Sequence, residues 1–306
     1  MTSWKVSLPC TKAEAEALKE DFTPLAMLER PPVLMTSEAD PEHPDRWRLD
    51  AYFEEEPSRP VLQLLHDLIP SAADAEPAIE RVEEEDWVTL SQQGLEPIRA
   101  GRFFVHTPAH RDDVPEGAIA FEIDAGRAFG TGQHETTTGC LHALDRLKAT
   151  GGSFHDILDL GTGTGLLAFA AMRLWPAARA IASDIDPISI EVAAENAAIN
   201  SVRIGRARGQ LELAVGPGMD HPRLKARAPY DLIIANILAG PLVDLAPAVS
   251  AALAPGGRLI LAGLLDHQAN RVAVAYRRHG LMAAFRVLRG DWPTLVMRKR
   301  KSLGWR

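Results

Sequence analysis

The residues with the most evident chemistry stand in one short run. Gly161, Gly163 and Gly165 alternate with threonines directly after the apolar stretch Ile157–Leu160, and the helix-forming run Leu166–Met172 follows. A strand feeding glycines and then a helix lets a ligand approach the backbone closely. It also sets that ligand before the unpaired amide donors of a helix N-terminus. A dinucleotide site of the G-x-G-x-x-G kind needs its third glycine at position 166, which is Leu166; a nicotinamide dehydrogenase is disfavoured on that ground. The G-x-G-x-G form, with Asp159 two residues ahead, instead suits S-adenosylmethionine. That cofactor has no pyrophosphate to cradle, and a carboxylate or backbone carbonyls near the loop can meet its ammonium. A glycine turn that binds nothing is the plain alternative.

Two further polar residues close apolar runs. Asp184 lies 19 residues after Gly165, at the end of Ala180–Asp184. A carboxylate there accepts hydrogen bonds from ribose hydroxyls. Asp186 precedes Pro187 and reads as the cap of the next helix, although capping could account for both acids. Asn236 ends the run YDLIIAN, and a buried strand end is a costly place for an unpaired amide. Its side-chain oxygen is suited to hold a substrate amine with the nitrogen lone pair aimed at a sulfonium methyl; capping a strand end is the bland reading. Ahead of the loop, AFGTGQHETTT offers two glycines, His134 and the hydroxyls of Thr136–Thr138. The segment reads as a lid. A loop histidine is more often structural than a base, because geometry decides before pKa does.

These residues require a framework that brings strand ends together. From about residue 100, short strand-like runs alternate with helical ones, the pattern of a parallel sheet covered on both faces. Strands are expected at 102–106, 118–123, 156–160, 180–184, 231–237 and 258–262. Helices are expected at 136–149, 165–174, 187–200, 242–253 and 268–280, with a terminal hairpin at 284–288 and 294–299. Residues 1–60 read as a small α+β domain. It holds a strand near 3–9, a capping-box helix from Thr11 with Glu14 three positions on, and a strand in RWRLDAYF. Residues 61–99 read as a linker, 100–306 as the cofactor-binding domain. The acidic runs Glu54–Glu56 and Glu83–Asp86 read as solvated faces, with gripping a basic substrate as the minority option.

Composition narrows the classes. The chain has 306 residues, 46% of them hydrophobic and 24% charged, enough apolar content for a real core. A net charge of -8 speaks against a nucleic-acid substrate. Cys10 and Cys140 make no disulfide framework and no metal-ligand spacing. No apolar run is long enough to span a bilayer and no signal peptide begins the chain, so a cytosolic location is expected, with no metal, no membrane and no direct nucleic-acid partner.

Taken together, AFGTGQHETT (128–137), DLGTGTG (159–165), IASDIDP (181–187) and ANILAGPL (235–242) resemble the ribosomal protein L-eleven methyltransferases, PrmA, in order and spacing over residues 83–306. The resemblance implies a class I, Rossmann-like methyltransferase domain behind a small substrate-recognition domain. It implies cofactor contacts by Thr137, Gly161, Asp184 and Asn236, to which the glycine loop itself adds Gly163, and places Phe129 and Gly130 near the substrate amine. It implies methylation of lysine side chains and of the N-terminal α-amine of one large-subunit ribosomal protein. Other methyltransferase substrates, or binding of S-adenosylmethionine without turnover, are the competing readings. The chain departs from the family pattern at Leu90, Ala125, Arg127 and Glu135, which alters the lid and linker but not the cofactor residues.

Overall fold

The computed structural model describes residues 2–20, 32–38, 46–53, 55–73, 75–83, 97–123 and 135–301. The chain divides into two compact units, residues 1–91 and 92–306.

The first unit contains β1 (Thr2–Thr11), α1 (Lys12–Glu20), β2 (Val33–Glu38), β3 (Arg46–Phe53), α2 (Arg59–Leu68) and β4 (Ala78–Glu83). The strands form an antiparallel sheet in the order β2-β3-β1-β4. Alternation puts Val6, Leu8, Leu49 and Ala51 on one face, where Leu65 from α2 and Ile69 just after it complete the core. The capping box is formed: the Thr11 amide donates to Glu14 at 2.8 Å and the Glu14 amide to the Thr11 hydroxyl at 3.3 Å. Residues 61–83, expected in a linker, instead supply most of α2 and the whole of β4, which pairs with β1 from Thr2↔Glu83 to Ser7↔Ala78. An edge strand as charged as AIERVE has little of the apolar alternation that marks a strand in sequence.

The second unit opens with β5 (Ile98–Ala100), β6 (Phe103–His106) and β7 (Ile119–Glu122), a separate three-stranded sheet. There follow α3 (Glu135–Ala149), β8 (Asp156–Leu160), α4 (Leu166–Leu174), β9 (Arg179–Asp184), α5 (Pro187–Ile199), β10 (Leu211–Val215), α6 (Pro222–Arg227) and β11 (Tyr230–Asn236). The unit closes with α7 (Ala239–Asp244), α8 (Ala246–Ala252), β12 (Leu253–Ala262), α9 (Asp266–Arg278), β13 (Leu281–Arg289) and β14 (Trp292–Lys299). These strands form a seven-stranded sheet in the order β10-β9-β8-β11-β12-β14-β13. The first five are parallel and the last two form an antiparallel hairpin. Helices cover both faces. Leu141, Leu144 and Phe169 pack on one side, and Val249, Val272 and Tyr276 on the other, which is why runs such as LIIA are apolar throughout rather than alternating.

Two expectations change. The strand β10 and the short α6 lie in a stretch read without structure. The helix expected over 242–253 is two short helices meeting at Leu245, with Pro247 at the start of the second removing an amide the first would have used. The strand order also has a consequence for function. After β8 the chain steps outward to β9 and β10, then returns to place β11 on the other side of β8. Such a reversal opens a crevice at the carboxyl ends of the strands, where ligands of α/β sheets bind.

Candidate active site

Gly161 follows β8 and Asn236 ends β11, so the two most suggestive sequence signals flank that crevice. The amides of Gly161 and Thr162 both donate to the Ser183 carbonyl, at 2.8 and 3.0 Å, which pins the glycine turn against β9. Gly161 has φ +72°, and a methyl group there would sit 2.3 Å from Ile237 Cγ2; both conformation and space demand glycine. Gly165, at φ +87°, caps α4.

Asp159 does not face the crevice. It is 1% exposed and turned inward, accepting the Thr162 hydroxyl at 2.6 Å and the Ala168 amide at 3.1 Å. Its Oδ1 is buried and has no hydrogen-bond partner. Burial pushes the carboxyl up to about 7, against the pull of the two hydrogen bonds and with a further push from the Asp184 charge. The acid therefore fastens the glycine loop to the first turn of α4.

Asp184 lies at the end of β9, half-buried. One oxygen accepts the Gly163 amide at 2.9 Å and the other the Asp186 amide at 3.1 Å. Each oxygen keeps a further lone pair, and no cation contacts the group among the described residues, so two vicinal hydroxyls can still be accepted. Asp186 caps α5 through the Ile188 amide at 2.9 Å. The donor set thus fits an adenosine-bearing cofactor: a carboxylate with spare acceptor capacity, a glycine turn and a helix N-terminus at one crevice.

Thr137, in the first turn of α3, is 4% exposed, and its hydroxyl oxygen accepts from Asn236 Nδ2 at 3.3 Å. These residues are 99 positions apart and meet only through the fold. One N–H of the amide is spent on Thr137, and Oδ1 has no hydrogen-bond partner among the described residues. Beyond Asn236 the backbone is tightly held: a methyl group on Gly263 would lie 2.3 Å from the Ile237 carbonyl oxygen. Phe129, Gly130 and His134 lie outside the described residues, as do Leu90, Ala125 and Arg127; Glu135 is the first residue of α3.

Two residues of interest escaped the sequence reading. Ile185 and Leu238 directly follow the site acid and close behind the site amide, and they are 71% and 72% exposed, more than any other large apolar side chain described. Ile185 leaves apolar surface in water beside Asp184. Leu238 does the same beside Asn236. An isoleucine between two aspartates in a turn was the available signal.

The chain matches the family model described as ribosomal protein L11 methyltransferase (PrmA) over residues 7–300. A relative bearing that name from Brucella suis is 46% identical over 219 residues, covering 72% of this chain and 74% of its own. Another from Rhizobium etli is 39% identical over 296 residues, covering 96% and 98%. The crystal structure of ribosomal protein L11 methylase from Lactobacillus delbrueckii subsp. bulgaricus superposes with TM-score 0.58 at 27% identity, covering 67% of this chain and all of that one.

Proposed function

Because the chain belongs to the ribosomal protein L11 methyltransferase family, we propose that it transfers methyl groups from S-adenosylmethionine to lysine and N-terminal amines of L11. Gly161, Gly163 and Asp184 would hold the cofactor, Thr137 would position Asn236, and Asn236 would hold the substrate nitrogen. Phe129 and Gly130 are proposed beside that nitrogen on the strength of the resemblance. Bound S-adenosylmethionine supplies an electrophilic methyl group on a sulfonium, so no covalent enzyme intermediate is needed.

The attacking amine must be neutral. At pH 7 this costs roughly 4.6 kcal/mol for a free lysine and about 1.4 kcal/mol for an α-amine. Desolvation against Leu238 and the apolar rim of the crevice lowers the amine pKa. Asn236 Oδ1 then accepts an N–H of the neutral amine and fixes the direction of its lone pair. Positioning of this kind supplies most of the rate in a displacement that asks little else of the protein. The observation that carries the reading is the Thr137–Asn236 hydrogen bond, which turns Oδ1 of the amide away from Thr137 and leaves it as an acceptor beside the cofactor crevice.

The charge distribution supports a basic protein substrate. Residues 1–91 hold 8 lysines and arginines against 21 aspartates and glutamates, a net charge of -13. A field of that sign raises the encounter rate with a positively charged partner. The test is incubation of the protein with labelled cofactor and purified L11, followed by mass spectrometry of L11. Mass increments on amines support the proposal; an unmodified L11 beside a labelled protein of another kind would replace the substrate.

A further inference from the structure

The net charge of the whole chain conceals a partition. Residues 245–306 carry 11 lysines and arginines and 2 acids, net +9, while residues 1–244 are net -17. The basic excess belongs to β12, α9, β13 and β14. Much of it gathers where β14 ends, at the opposite end of the sheet from the methyl-transfer crevice.

Arg258 of β12 lies directly across from Arg298 of β14, so two guanidinium groups share one face. Arg258 Nη1 is buried without a hydrogen-bond partner. The Arg300 amide donates to the Gly280 carbonyl at 3.1 Å, which brings Arg300 beside the end of α9 and its exposed Arg278. The Lys301 side chain runs past Gly256, two residues before Arg258. Lys299 is not part of the set, because its ammonium is spent on the Ser250 and Leu253 carbonyls at 2.6 Å each. No carboxylate pairs with Arg258, Arg278, Arg298, Arg300 or Lys301 among the described residues. The aspartate at the start of the neighbouring strand, Asp231, is occupied by the His155 and Asp156 amides. Like charges facing each other across a sheet destabilise it, and a series of them points to an anion that relieves the repulsion.

We infer that this edge, formed by Arg258, Arg278, Arg298, Arg300 and Lys301, docks the phosphate backbone of RNA. Arginines suit phosphate oxygens through their planar fork of donors, and cations strung along an edge match a chain of phosphates better than one small anion. A membrane would also ask for apolar side chains to insert, and Met282 is the one large apolar side chain described as exposed on this edge. RNA as the polyanion also rests on the proposed function, since a ribosomal protein substrate is met in the company of RNA. The edge leaves the crevice open: Ala262, opposite Asn236, lies four residues beyond Arg258 along β12, about 13 Å at the usual rise of a strand. The whole-chain charge pointed away from nucleic acid only because the acidic first unit outweighs this edge.

The test is fluorescence anisotropy of a fluorescein-labelled 20-nucleotide single-stranded RNA with the full-length protein, from 50 to 200 mM salt. Binding is expected, with a log–log salt slope of about -2 to -3 for three or four phosphates contacted. The variant R298E/R300E/K301E should weaken binding at least tenfold. R300E/K301E lies beyond the last strand residue, spares the sheet, and should weaken binding at least threefold while methylating free L11 at the wild-type rate. Absence of binding at 50 mM salt, indifference to R300E/K301E, or a preference for phosphatidylglycerol vesicles over RNA would overturn the inference. A protein that methylates L11 yet ignores RNA breaks this inference alone; one that binds RNA yet methylates nothing breaks the proposed function alone.

Discussion

The two ends of the parallel sheet are built on opposite rules. At the amino end, over β8 to β11, acids are saturated. Asp156 meets Arg179 at 2.7 Å and Arg227 at 3.5 Å, Asp231 accepts two backbone amides, and Glu212 is flanked by Arg206, Arg223 and Arg227. At the carboxyl end, Asp184 has backbone partners only, Asn236 shows an unclaimed oxygen, and Ile185 and Leu238 leave apolar surface in water. Folding alone rewards the first arrangement and penalises the second. Spare acceptors and exposed apolar groups concentrated at one end are what a binding site looks like before its ligand arrives. Mutations at the two ends should therefore separate function from stability.

The largest effect is expected at Asn236. Asn236→Ala should lower kcat by roughly two to three orders of magnitude, with the dissociation constant for S-adenosylmethionine changed by less than about threefold; equal losses in both would make Asn236 a cofactor anchor. Asp184→Ala should weaken cofactor binding by some 10- to 100-fold through the loss of two charge-assisted hydrogen bonds, with much less effect on turnover at saturation. Unchanged calorimetric affinity in that variant would remove Asp184 from the ribose.

How much of this was legible in the sequence follows the distance between the interacting parts. The glycine turn, Asp184 and the cap at Asp186 each show in the sequence as a pattern of a few residues, although the bond between Asp184 and the Gly163 amide spans 21 positions. The partnership of Thr137 with Asn236 spans 99 positions and is a product of the sheet order; the motif names both residues but not their contact. LELAV, a five-residue strand, and AIERVE, an edge strand, lack the length or the alternation that periodicity needs. Asp159 shows the limit most clearly. Its place two residues before the turn suggested a ligand contact, whereas burial, invisible in sequence, turns it into an internal brace.

That brace gives the carboxyl end of the sheet a pH dependence of its own. The folded pKa of Asp159 stands at about 7, above the ordinary carboxylate range of the unfolded chain. A native state that binds the extra proton loses stability as pH rises from about 4 to about 7 and stays level beyond. Asp159→Asn removes the titrating group while keeping an acceptor for Thr162 and Ala168. The variant should gain on the wild type by several degrees in Tm between pH 5 and pH 8. Parallel Tm curves would mean that the loop supplies a cation or a solvent path to this acid.

At the amino end the expected effect is smaller and free of kinetics. Asp231 joins β11 to the start of β8 through the His155 and Asp156 amides at 2.7 and 3.1 Å, and burial raises its pKa despite those bonds. Asp231→Ala strands two amides, at a cost of about 1–3 kcal/mol. For a unit of this size that corresponds to a fall in Tm of roughly 2–12 °C. The burial penalty that raises the pKa also disappears, which favours the low end of that range. Neither kcat nor cofactor affinity should change, because the residue lies at the far end of the strand from Asn236. A kinetic defect in Asp231→Ala, matched for stability against wild type, would show that strain at the base of β11 reaches its tip, and the separation of the two ends would fail.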